Sequence, residues 1–136
     1  LNAFSTPAQP GSDGSALLFD RNGASQGAAI SHIAGASEFT VQTPGNYVVS
    51  FHATLAPYGC AVFPLSILIF LENQGVQVPD TGVRHTFHTT AEAANVAFAQ
   101  VVQVPSAPAT LKFIASGGNF LYSDTAASIW YLGLLS

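Results

Sequence analysis

The side chains that carry most acid–base, nucleophilic and metal chemistry are scarce in this chain: four His, one Cys and seven Asp or Glu among 136 residues. His85 and His88 form a His-x-x-His pair, but on a strand that spacing sends the two rings to opposite faces. A mononuclear zinc site needs about four well-placed ligands, and the pair supplies no such set. Three copies of His52 or of His85 around the axis of a symmetric assembly remain a possible metal ring, against the commoner reading of a hydrogen-bonded histidine. Cys60 and a histidine are the ingredients of a thiolate pair, yet no third group that would orient the histidine is signalled nearby. A structural cysteine, buried or in a loop, is the simpler reading. Asp13, Asp20, Asp80 and Asp124 all fall in turn sequences, where carboxylates hydrogen-bond local backbone. No run of closely spaced oxygen ligands resembles a calcium loop. The residues therefore predict a protein that is not an enzyme and uses no cofactor.

The elements that must position these groups are strands. The Pro44-Gly45 turn releases into Tyr47 to Leu55, rich in β-branched and aromatic residues. Tyr47, Val49, Phe51, Ala53 and Leu55 take the core face. Val48, Ser50, His52 and Thr54 form a semi-polar face open to solvent, a second layer or another subunit. Leu65 to Leu71 is apolar on both faces: Leu65, Ile67, Ile69 and Leu71 on one, Leu68 and Phe70 on the other. Ala127 to Leu135 is also apolar on both faces, with Trp130, Leu132 and Leu134, so the C-terminus is expected to end inside the fold. Shorter strands are expected at 16–19, 28–33, 38–42, 76–78, 83–89, 95–104 and 110–115, separated by Gly, Pro and Asn turns. Residues 1–15 read as a connector, and residues 16–136 as one domain. About ten short strands with regular turns imply an all-β, two-sheet antiparallel sandwich, most simply a jelly roll.

Composition narrows the partners. Charged residues make up 7% and hydrophobic residues 49%, against about 25% charged in ordinary soluble domains. The apolar runs fall short of the roughly 18 residues of a membrane span, so no membrane insertion is expected. Burial between subunits is the remaining account, because obligate interfaces resemble a core cut in half. The candidates for this subunit interface are Leu65, Ile67, Leu68, Ile69, Phe70, Leu71, Trp130, Leu132 and Leu134. Three Lys or Arg against seven acidic residues give a net charge of −4, which argues against nucleic acid as partner. Tyr58 and Phe63, in a loop, and His88 and Asn119 are candidates for surface contact. The chain begins at Leu1 and contains no methionine, which reads as a domain cut from a longer protein.

Several motifs occur together in order: Thr43-Pro44-Gly45-x-Tyr47-x-x-Ser50, preceded by Gly27-x-Ala29-Ile30-Ser31-His32 and Phe39; Leu65 to Leu71 followed by Glu72-Asn73-x-Gly75; Val78-Pro79-x-Thr81-Gly82; and a terminal Ala127-Ser128-Ile129. In that order they resemble the C-terminal domain of the collagen-like glycoproteins of bacterial spore surfaces, of BclA type. Trp130, Cys60 and the four histidines are not part of the resemblance. It implies the trimeric jelly roll of the tumour-necrosis-factor superfamily and of complement's globular heads. It further implies a tight homotrimer at the distal tip of a collagen-like stem on the exosporium. There the domain would bring three Gly-x-y stems into register and form the outermost surface. Other exosporium proteins or a host-cell or matrix ligand are the further partners, the latter for a lectin-like or receptor-binding head.

Overall fold

Alternation of apolar and polar residues is strong enough in the longer segments of this chain, such as Tyr47 to Leu55, to dictate strands. The computed structural model describes residues 1–25 and 27–134, and among them no helix forms. Twelve strands follow in order: β1 (Asn2–Ser5), β2 (Gln9–Gly11), β3 (Arg21–Asn22), β4 (Ile30–His32), β5 (Phe39–Val41), β6 (Gly45–Pro57), β7 (Leu65–Asn73), β8 (Val76–Gln77), β9 (Val83–Phe87), β10 (Ala94–Val104), β11 (Ala109–Ser116) and β12 (Phe120–Gly133). They make two six-stranded sheets. The first runs β10-β6-β12-β1-β3, with β2 also on β12; the second runs β4-β5-β11-β7-β8, with β9 also on β7. Every pairing is antiparallel. From β5 to β7 and from β9 to β12 the chain changes sheet at each step, giving a jelly-roll-like sandwich.

The core lies between the sheets and is built from alternate residues. Tyr47, Val49, Phe51, Ala53 and Leu55 of β6 face Leu65, Ile67, Ile69 and Leu71 of β7 and Leu111, Phe113 and Ala115 of β11, all buried. Phe113 is the hub of an aromatic cluster, with ring centroids 4.9 Å from Phe51, 5.7 Å from Phe19, 5.9 Å from Phe39 and 6.1 Å from Phe98. The phenol of Tyr122 accepts the Leu18 N–H at 3.0 Å, and burial raises its pKa.

Four expectations change. Residues 16–19 form no strand: Ala16 makes only an isolated bridge to Ile114, while Leu17 and Phe19 are buried in the core. Residues 1–15 are more than a connector: β1 pairs with β12 from Asn2↔Ser128 to Ser5↔Thr125, and Ala3 and Ser5 are buried. Such short strands have little periodicity of their own and are defined by the edge they join. The last strand is also longer than expected, because Phe120–Gly133 runs through a bulge between Ser123 and Ala126, where Asp124 takes a φ of 46°. A bulge lets polar residues interrupt the alternation without ending the ladder. Finally, the C-terminal stretch is not enclosed: Trp130, Leu132 and Leu134 are exposed, and Leu135 lies outside the described residues.

The β11–β12 turn depends on a glycine. Gly117 has a φ of 130°, and a Cβ there would collide with the Ser66 carbonyl oxygen. Gly117→Ala is expected to lower stability by about 1–3 kcal/mol, the usual range for a forced backbone conformation. Thermal unfolding beside wild type checks it, and an unchanged midpoint would contradict it.

Candidate functional site

The two sheets present very different outer faces. On the second, Glu72 of β7 faces Lys112 of β11 in register, Arg84 of β9 faces Leu68 of β7, and Ser66 hydrogen-bonds Thr86 at 3.0 Å. Leu68, Phe70 and Ile114 are half-buried among these polar groups. On the first sheet, the long strands β6 and β10 carry no charged residue, and neither does β1. Its only charged residues are Asp124 in the bulge of β12 and Arg21 on the edge strand β3.

Register places the outward side chains of the first sheet in rows. Val101, Val48 and Trp130 lie side by side across β10, β6 and β12; Ala99, Ser50 and Ser128 form the next row; Ala97, His52 and Ala126 the next. Trp130 is 46% exposed and Val101 56%. Beyond them β10 ends the sheet as an eleven-residue edge without charge or proline. Edges that stay solvated in natural proteins are usually short, bulged, or marked by Lys or Pro, and β10 has none of these.

The interface candidates divide. Leu65, Ile67, Ile69 and Leu71 are covered by the chain's own core. Leu68 and Phe70 point out from the second sheet, half-buried. Trp130 points out from the first sheet, with Leu132 and Leu134 exposed near its end. The sequence places Val48 on an outward face and Ala97 and Ala99 outward on their own strand, but not Val101 nor the joining of these residues into one face, which depends on strands far apart in sequence becoming neighbours.

The remaining candidates gather at one end. Pro57 pairs with Phe120 and Leu55 with Ala94, so the β6–β7, β9–β10 and β11–β12 loops share an end of the sandwich. These loops hold Tyr58, Phe63, His88 and Asn119, together with the exposed free thiol of Cys60. Leu1 lies at the other end: its N–H donates to the Ile129 carbonyl at 2.8 Å, and its carbonyl accepts the Ile129 N–H at 2.9 Å. A cleft of about 450 Å³ opens there, lined by Leu1, Ala24, Ser25, Ala29, Ile30, Trp130 and Tyr131.

The histidines stand apart from one another in role. His52 is exposed between Ala97 and Ala126. His32 is buried, stacks on Phe39 at 4.4 Å and sets its Nε2 2.9 Å from the Ala36 carbonyl, while its Nδ1 meets Asn22 Oδ1. Asn22 Nδ2 also donates to the His32 carbonyl at 2.6 Å, tying β3 to β4 across the two sheets. His85 packs edge-on against Phe87 at 4.5 Å, with Nε2 3.9 Å from Glu92 Oε2. Among the described residues, no three His, Cys, Asp or Glu side chains converge as a metal site.

Glu92 organises the β9–β10 loop. Its Oε1 accepts the N–H of His88 at 2.7 Å and of Thr89 at 2.9 Å. Chiefly the His88 N–H bond holds its carboxyl below the ordinary carboxylate range. Because the pKa is depressed on folding, the bonds contribute fully above the ordinary carboxylate range and are lost as pH falls through the lowered value. Protection of the His88 and Thr89 amides from hydrogen exchange is therefore expected to hold from neutral pH to that range and to fail below it. In Glu92→Gln the acid-dependent loss should disappear; unprotected amides at neutral pH would contradict the arrangement.

The chain matches no protein-family model and no curated protein.

Proposed function

We propose that this chain is a non-enzymatic structural domain that assembles as a homotrimer through the outer face of its first sheet. In this reading it forms the distal tip of a spore-surface filament and brings collagen-like chains into register. The observation that carries the reading is the face of β10, β6 and β12, where the one charged residue is Asp124 in the β12 bulge and Trp130, Val101 and Val48 lie in one row. Such a face, continuous with an undefended edge strand, fits a contact between identical chains better than solvent. The number three and the tumour-necrosis-factor-like assembly come from the sequence resemblance. Geometry supports the placement: Leu1, where a stem would attach, is at the opposite end from the loops of Tyr58, Phe63, His88 and Asn119. Three chains held at one point raise the effective concentration of the segments leading into them.

The solution mass, measured by sedimentation before and after heating in detergent, tests the reading. A particle of three 14.1 kDa chains is expected, and a monodisperse single chain would overturn it. The same clustering of end loops favours a second reading, a lectin-like or host-receptor-binding head. Retention of a glycan or matrix protein by the intact domain on an array, lost on Tyr58→Ala, would support that role; silence would leave the structural one.

A further inference from the structure

On the outer face of the second sheet, the 78–82 loop is fastened to β7 with unusual completeness. Thr81, 2% exposed, accepts the Leu71 N–H at 3.2 Å and donates to the Val78 carbonyl at 2.7 Å, while Val78 N–H donates to the Leu71 carbonyl at 2.9 Å. These bonds fix the residues on either side of Thr81. Asp80 is held at a φ of 62°, and Gly82 lies over Leu68 and Phe70, where a Cβ would stand 3.5 Å from Leu68 Cδ1. Any side chain at 82 would begin to cover Leu68. The result is an open depression of about 340 Å³, lined by Leu68, Gln77, Asp80, Thr81, Gly82 and Arg84, within the size range of small-molecule sites.

Its polar side chains other than Thr81 are exposed and unpaired within the chain. Asp80 and Arg84 share the depression but form no ion pair, and among the described residues the side chains of Gln77, Asp80 and Arg84 make no hydrogen bond within the chain. A free acceptor, a free donor fork and an amide that does both thus surround the partly exposed methyl groups of Leu68. The carboxylate disfavours phosphate or sulfate, and the guanidinium disfavours a metal ion. A neutral polyhydroxylated ligand satisfies all of them: its hydroxyls donate to Asp80 and accept from Arg84, Gln77 serves either role, and the C–H face of a sugar ring covers Leu68.

We propose that this depression is a binding site for a neutral pyranose sugar. It is independent of the trimer and of the end loops, because it lies on the sheet away from both the proposed subunit contact and that end. The test is a titration of the ¹⁵N-labelled domain with methyl glycosides of glucose, galactose and mannose. Saturable shifts of the Gln77, Thr81, Gly82 and Arg84 amides are expected with at least one, at a Kd on the order of 1–10 mM. Asp80→Asn keeps a residue that tolerates positive φ, and Arg84→Gln is at an exposed position. Each is expected to weaken binding about tenfold or more, with the rest of the amide spectrum unchanged. The proposal is overturned if no glycoside gives saturable shifts, if the shifts survive both substitutions, or if free glycine, a zwitterion, saturates the same amides more tightly.

Discussion

Val48→Asp is expected to turn a three-chain particle into single folded chains. Val48 is half-buried at the centre of the Val101–Val48–Trp130 row and points away from the core. A carboxylate there meets water in an isolated chain and costs that chain little. In an assembly closed over this face it would be buried without a partner, which costs several kcal/mol per ion, and symmetry would repeat the cost in each chain. The same substitution at Thr110, outward on the second sheet, should leave the particle mass unchanged. Sedimentation of both variants, with far-ultraviolet circular dichroism to show that the strands persist, gives the answer. A Val48→Asp protein that still sediments as three chains would rule out the first sheet as the contact. A Thr110→Asp protein that dissociates would point to the second.

Phe113→Ala is expected to remove much of the fold's stability. Phe113 is fully buried on β11 and meets Phe51 from the opposite sheet and Phe19 and Phe39 from its own side of the sandwich. Truncating a buried phenylalanine costs about 3–5 kcal/mol through lost transfer energy and the cavity left behind. Domains have only about 5–15 kcal/mol in total, so a large fraction of the stability is lost and the unfolding midpoint should fall well below that of wild type. Phe113→Leu, which keeps most of the volume, should cost less. Denaturant unfolding at a fixed protein concentration measures both, because association would stabilise the folded chain by mass action. Equal midpoints for Phe113→Ala and wild type would mean that the cluster is not the keystone of the core.

Strands long enough to alternate several times were legible from the sequence. In β6 the five core residues from Tyr47 to Leu55 and the opposite face from Val48 to Thr54 follow directly from a period of two, as do inward Val96 and outward Ala97 on β10. The Asn73-Gln74-Gly75 turn was legible too from its Asn and Gly, and in the structure Gln74 and Gly75 both take positive φ. β7 was harder, because apolar residues on both faces do not reveal which face meets its own core. Leu65 to Leu71 was read as a subunit contact throughout, whereas alternate residues fill the single chain's interior. β1 was illegible for a different reason: four residues with one fully buried alanine become a strand only beside β12. The nearly uncharged face of the first sheet depends likewise on β10, β6 and β12 being neighbours, although they are widely separated along the chain.

The position of β12 also bears on how the domain is made. It is the last strand in the sequence, yet it lies inside the first sheet, between β6 on one edge and β1 and β2 on the other. During synthesis β1 must therefore wait for Phe120 and the residues after it before its ladder with β12 can form. Long-range pairings of this kind form late and slowly, and an unfinished chain exposes unpaired strand edges meanwhile. A product cut short before Phe120 would lack the strand joining both halves of the sheet, so the sheet closes only once β12 is present.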